Sequence, residues 1–571
     1  MKKFILACSV LVAAAASLPL GAAGEKIDYE AITKIKQQGM GAQTSQVMEI
    51  SSWLTDVHGP RLTGSPNVQK AAEWAAAKMK EWGLQNVALE PWADKANQFA
   101  YGWTNDKFYM AAVSPQAFPI PGTPTSWTPG TNGLVRGEVV LVTEATQEDL
   151  QKYAGKLKGK WILTQAAPDV AAFWAPQATR QTAEELQRME LATPPAPEFG
   201  MANPNAGGRG GGRGGFGQGG GFNRNDWFKS EGVAGLLSTA PRGHGVYVIG
   251  GGDRNAEPTA GLPRISIPAE QYGRMARMVA KNIPVTIEAD IKNTYIPNPP
   301  MFNVVGEIPG TDLASEVVML GAHFDSWHAS TGATDNIAGS AAMMEAMRIL
   351  KQSGVKLRRT VRIGLWTGEE QGLIGSRDYV KAHFGGCNDA PGAGRGAPPA
   401  APATTTAATT TAAAPAPTPQ RGGGRGGCQT GYTFKPEHAR FAGYFNIDNG
   451  TGAIRGVYLQ QNDAVGPIFR EWMEPFRSLG MSAVTSRNTG GTDHQAFDAL
   501  GLPGFQFIQD DVEYDTLTHH TNLDSYERLQ PSDMMKNATI AASFAYLAAN
   551  RDEKLPRKPA PAAASGRGTG Q

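Results

Sequence analysis

The sequence predicts an α/β fold: a mostly parallel, doubly wound sheet with a β-rich α+β unit inserted into it. From Pro300 onward the chain repeats strand, loop and helix, the pattern of a parallel sheet covered on both faces. Residues 137–296 follow another rhythm, with short apolar strands and one clear helix. The 571 residues also include 69 glycines and 39 prolines, about 19% of the chain against a usual ~12%. That excess gathers in separate segments that cannot form a core.

Met1-Lys2-Lys3 is a positive n-region, residues 4–20 are almost wholly apolar, and Gly21-Ala22-Ala23 supply small residues before Gly24. Residues 1–23 therefore read as an export signal. A membrane anchor is the weaker reading, because the apolar run falls short of the ~20 residues that a span needs. Residues 24–130 open the main domain. Within them 43–92 reads as two helices, the second opened by Pro66 and marked by Ala71, Ala72, Ala75, Met79 and Trp82 at helical spacing. Residues 131–297 form the inserted unit, with strands at 139–142, 161–163 and 233–237 and a helix at 269–280. A Gly/Arg stretch at 206–225 interrupts it and is expected to be disordered.

Residues 298–555 carry the strand–helix repeat. Strands are expected at 317–320, 359–366, 441–447 and 505–508, and helices at 336–350 and 534–549. The Ala/Pro/Thr/Gly loop 388–427 and the tail 556–571 are expected to be disordered.

Composition narrows the function. Lys+Arg (53) and Asp+Glu (52) leave a formal charge of +1, which argues against a nucleic-acid-binding body. Three cysteines exclude a disulfide-rich scaffold. Cys8 leaves with the signal. Cys387 and Cys428 stand at the feet of the 388–427 loop and read as one disulfide in an oxidising compartment; two free thiols are the alternative.

Chemistry enters at the strand ends, where open α/β sheets bind ligands. The strand ending at Leu320 leads to His323 and Asp325, and Asp335-Asn336 opens the following helix. Trp366 leads to Glu369-Glu370, Ile447 to Asp448, and Ile508 to a loop with His519-His520 and Asp524. Imidazoles and carboxylates in this mixture suit zinc. Asp335, Glu370 and Asp448 with a hydroxide would balance two Zn²⁺ ions, and one shared carboxylate would hold them about 3.5–4 Å apart. Asp325 is placed to turn back to the His323 ring and fix its tautomer. Glu369 is left as a general base, worth about 10²–10⁴-fold. Taken singly, Asp335 and Asp448 also fit helix or turn caps. His494 reads as polar packing and His328 as solvated, and Arg487 is a weaker candidate for a substrate carboxylate.

His323-Phe-Asp325-Ser, Gly332-Ala-Thr-Asp335-Asn336, Trp366-Thr-Gly-Glu369-Glu370 and His520 four before Asp524 resemble metallopeptidase family 28, the co-catalytic di-zinc exopeptidases. Gly59-Pro60-Arg61-Leu62-Thr63-Gly64-Ser65-Pro66 resembles the family's N-terminal signature. Asp325-Ser326-Trp327, Trp366-Thr367 and His519-His520 look like the carboxypeptidase Q-like versions. The resemblance implies a zinc-exopeptidase-type fold and an inserted protease-associated domain. It also implies His323 and Asp448 on one zinc, Glu370 and His520 on the other, Asp335 bridging, and Glu369 as acid/base. His519 stands where many relatives carry a Tyr, and is the candidate oxyanion or substrate contact. The expected function is that of an exported exopeptidase acting on peptides. An RNA binder acting through the Arg/Gly runs and a non-catalytic receptor or scaffold are the competing readings. Oligomeric state is open.

Overall fold

The computed structural model describes residues 24–93, 99–192, 222–388 and 431–558. The export signal, Cys428 and the greater part of each low-complexity segment lie outside the described residues.

The main sheet has eight strands in the order Gln85–Pro91, Phe302–Ile308, Arg359–Trp366, Leu313–His323, Phe441–Asn446, Gly504–Gln509, Ile454–Tyr458 and Ala483–Thr485. Its centre is parallel, from Arg359–Trp366 through Gly504–Gln509. Antiparallel pairings flank that centre. Central strands are buried on both faces. In Leu313–His323, Val318, Leu320 and Ala322 join one apolar cluster and Met319 joins another. This is why residues 317–320 read as a continuous apolar run. Helices Ala338–Gln352 and Pro531–Asn550 cover the first face, with Tyr29–Gly39 and Val47–Ser52 packed beside them. Ile374–His383 and His494–Asp498 cover the second.

A second eight-stranded sheet is built on the long antiparallel pair Tyr101–Ser114 and Thr286–Pro297. Three parallel pairings link Val135–Leu141, Trp161–Leu163, Gly235–Ser238 and Arg264–Ser266. Helix Ala269–Val279 packs on this sheet through Tyr272, Met275 and Ala276.

Several expectations are corrected. The end of the 43–92 segment is a strand, Gln85–Pro91, because Val87 and Leu89 dock on the main core while its backbone pairs with Phe302–Ile308. The second sheet takes in strands before residue 131, since Tyr101–Ser114 finds its partner 180 or so residues later. Residues 222–225, placed in the Gly/Arg stretch, include Asn223, which caps helix Arg224–Ser230. The first residues of the expected tail are docked: Arg557 donates to the carbonyls of His438 (2.6 Å) and Phe441 (2.7 Å). Cys387 is disulfide-bonded.

Candidate metal centre

The four central strands end at one edge, and their following loops bring the acidic and imidazole side chains together. His323 ends its strand, and its Nε2 lies 3.1 Å from Asp335 Oδ1 and 3.1 Å from Asp448 Oδ1. The other oxygen of Asp335, Oδ2, faces His520 Nε2 at 3.3 Å and His519 Nε2 at 3.9 Å. His520 Nε2 is 2.9 Å from Glu370 Oε2. Ligand atoms of His323, Asp335 and Asp448 all lie within 4.8 Å of one another, as do those of Asp335, His519 and His520. One carboxylate thus stands between two donor sets. The rings of His519 and His520 stack at 3.9 Å.

Neighbouring residues hold these groups in place. Asp335 sits in a kink before helix Ala338–Gln352, with non-helical φ/ψ. Asn336 ties that kink to the next strand end, donating to Ile447 O (2.9 Å) and accepting from Gly339 N (2.9 Å). Asp524 accepts from Thr334 N (2.5 Å), Thr334 Oγ1 (2.8 Å) and Asp335 N (3.1 Å). Asp325 meets the His323 ring mainly through its backbone carbonyl. Nδ1 lies 3.0 Å from the backbone carbonyl of Asp325 and 3.6 Å from its carboxylate. That carboxylate also accepts from Thr63 Oγ1 (2.7 Å) and Glu369 N (3.3 Å).

The N-terminal motif, which carried no role in the sequence reading beyond its resemblance, braces the whole edge. Arg61 is fully buried. It donates to the carbonyls of Phe324 (2.8 Å), Leu54 (2.9 Å), Thr331 (2.7 Å) and Gly332 (2.9 Å). Thr63 joins the Asp325 carboxylate to Gly368 N, which donates to its hydroxyl at 3.0 Å. The signal for this was a charged residue inside an otherwise apolar and Gly/Pro-rich turn.

Burial opposes the charge of His520, but Glu370 and Asp335 outweigh it and lift its pKa to about 9. Burial pushes Glu370 up to about 7 against the pull of His520. It holds Glu369 well above the carboxylate range, opposed by His323 and reinforced by Asp448. Burial would raise Asp335 too, yet the His323 hydrogen bond and the charge of His520 hold it low. Burial also lifts Asp493, which the sequence reading left unused, to about 7. His328 is packed rather than solvated: Nε2 lies 2.8 Å from Pro124 O, its ring meets Trp103, and burial lowers its pKa to about 4. His494 is buried, with Nε2 3.2 Å from Thr489 O.

Fold and site together resemble those of M28 peptidases. Residues 303–390 match the family model described as Peptidase family M28, so the resemblance read from the motifs is borne out. Carboxypeptidase Q from Mus musculus is 24% identical over 539 residues, 93% of this chain and 92% of that protein. Carboxypeptidase Q from Xenopus laevis is 34% identical over 296 residues, 52% of each. A solved Peptidase M28 precursor from Shewanella amazonensis SB2B shares the fold with a TM-score of 0.61, at 22% identity over 94% of this chain and 100% of that one. Among the described residues no helix is long and apolar enough to cross a membrane.

Proposed function

We propose that this chain is an exported zinc-dependent exopeptidase that hydrolyses short peptides or dipeptides, with an aminopeptidase or carboxypeptidase Q-like dipeptidase specificity. The observation that carries the reading is the Asp335 carboxylate, with one oxygen 3.1 Å from His323 and the other 3.3 Å from His520. The donor set fits two Zn²⁺ per chain. Asp335 Oδ2 and Glu370 Oε1 are buried without a hydrogen-bond partner among the described residues, and such atoms are costly unless a cation or donor meets them. Imidazole nitrogen and carboxylate oxygen are also the ligand types zinc prefers outside thiolate sites. His323 and Asp448 would hold one ion, Glu370 and His520 the other, and Asp335 both.

Two zinc ions, when bound, bring the pKa of water towards about 7 and polarise a scissile carbonyl. Glu369 takes the proton of the attacking water and returns it to the leaving amine. His519, 28% exposed beside the cluster, is placed to donate to the oxyanion or to meet the substrate. Asp325 supports the carboxyl edge through Thr63 and the Glu369 backbone. The second sheet acts as a cap of the protease-associated kind, and the disulfide of Cys387, assigned to Cys428, closes the loop base.

Glu369→Gln tests the mechanism. The variant should bind zinc as the wild type does and lose turnover of a panel of free and end-blocked peptides by about 10²–10⁴-fold. Near-normal turnover would remove Glu369 from the mechanism. Digestion that survives complete chelation would remove the metals.

A further inference from the structure

The loop that carries His519 and His520 is rooted in the main sheet at its two ends. Asp510 N donates to Ala453 O (3.0 Å), and the Asp524 carboxylate holds Thr334 and Asp335. Between those roots the second, inserted unit grips it from two sides. Val512 and Thr179 exchange both backbone hydrogen bonds at 2.8 Å, and Thr516 Oγ1 donates to Gln177 O at 2.7 Å. On the other side Thr521 pairs with Val248 as an isolated bridge. The carbonyl of His520 itself accepts from Ile249 N at 2.9 Å. The Asn522 side chain accepts from Tyr247 N (2.9 Å) and donates to Gly245 O (3.1 Å).

This grip has a backbone to constrain. His520 has a φ of 58°, a left-handed conformation that is unfavourable for a non-glycine residue and persists only where its surroundings impose it. The first donor set depends on the main sheet instead: His323 ends a central strand, and Asn336 fastens the Asp335 kink to the carbonyl before Asp448.

We propose that the inserted unit is the positioning element of the second donor set, acting through Asn522, so that its docking sets the affinity for the cation at His520 and Glu370 and leaves the cation at His323 and Asp448 alone. This rests on the two-cation reading above. Asn522 is a positioning residue: it fixes the peptide two residues beyond His520, and through it the direction in which the imidazole points. The loss of groups that orient a ligand typically weakens metal binding about 10–100-fold.

The test is a Zn²⁺ titration of the zinc-stripped full chain against a chromophoric chelator, for the wild type, His520→Ala, Asn522→Ala and Thr516→Val. His520→Ala identifies which of the two equivalents belongs to the second donor set. Asn522→Ala should weaken that equivalent about 10–100-fold and leave the other unchanged. Thr516→Val, a nearly isosteric change on the opposite side of the loop, should shift the same equivalent in the same direction and serves if Asn522→Ala does not fold. Unchanged affinity for both equivalents overturns the proposal, as does equal weakening of both. A wild type that binds fewer than two ions overturns the reading of the site itself, which separates that failure from this one.

Discussion

Replacing Arg61 with Met removes the charge at the centre of the N-terminal brace and keeps most of the side-chain volume. Four carbonyls, of Phe324, Leu54, Thr331 and Gly332, then lose the guanidinium as a donor, and that of Gly332 keeps Ile337 N at 3.2 Å. Each buried acceptor left unmet costs about 1–3 kcal/mol. Relief from burying a guanidinium offsets part of this: burial pulls the Arg61 pKa down to about 10 while Asp524 and Asp325 push the other way. The balance is a net loss of about 3–5 kcal/mol, the range found when one partner of a buried charged contact is removed. That is a large part of the 5–15 kcal/mol by which a domain is stable. Urea unfolding of the zinc-stripped protein measures it, read as a fall in midpoint at constant slope. A loss below about 1 kcal/mol would refute the claim that Arg61 braces the site, since its hydrogen bonds would then be replaced by other groups at little cost.

Two further outcomes follow from the structure. Burial opposes the charge on His383, but Glu437 and Glu90 outweigh it and raise its pKa to about 9. The folded value lies above the ordinary ~6.5, so the stabilisation is complete below about pH 6.5 and is lost as pH rises through about 9. The wild type should exceed His383→Gln by about 1–3 kcal/mol at pH 6 and converge with it near pH 9.5; a difference that does not change with pH would remove the ion pair as its cause. Gly332 has a φ of 67°, and a Cβ there would lie 2.3 Å from the Ser326 Cβ and 2.9 Å from the Arg61 guanidinium. Gly332→Ala should therefore lower stability by about 2–4 kcal/mol through strain and overpacking, visible as a drop in melting temperature, and an unshifted transition would contradict the contact.

The parallel centre of the main sheet was legible because its strands are apolar on both faces and each ends in a loop with chemistry-bearing residues. Gln85–Pro91 was not, because an edge strand of mixed residues is defined by its partner Phe302–Ile308 rather than by its own pattern. Tyr101–Ser114 was missed for the same reason: its ladder closes with Thr286–Pro297, far away in the chain. At the site, the residue types and their order were legible from His323 to His520. The role of Asp325 was only half legible, because spacing says that a residue can reach a ring but not whether its carbonyl or its carboxylate does so.

What sequence alone determined is the local part: which segments favour strand or helix, which residues bear metal-binding chemistry, and that they follow strand ends. Periodicity and side-chain chemistry are properties of short stretches and survive without knowledge of the rest. Tertiary structure decided which of these residues meet, which oxygen of Asp335 faces which imidazole, and that Arg61 and Thr63 brace loops more than 260 residues away. It also decided that the inserted unit grips the His520 loop. Such contacts join segments distant in the chain, and their hydrogen bonds form only once the core has packed and excluded water from between them.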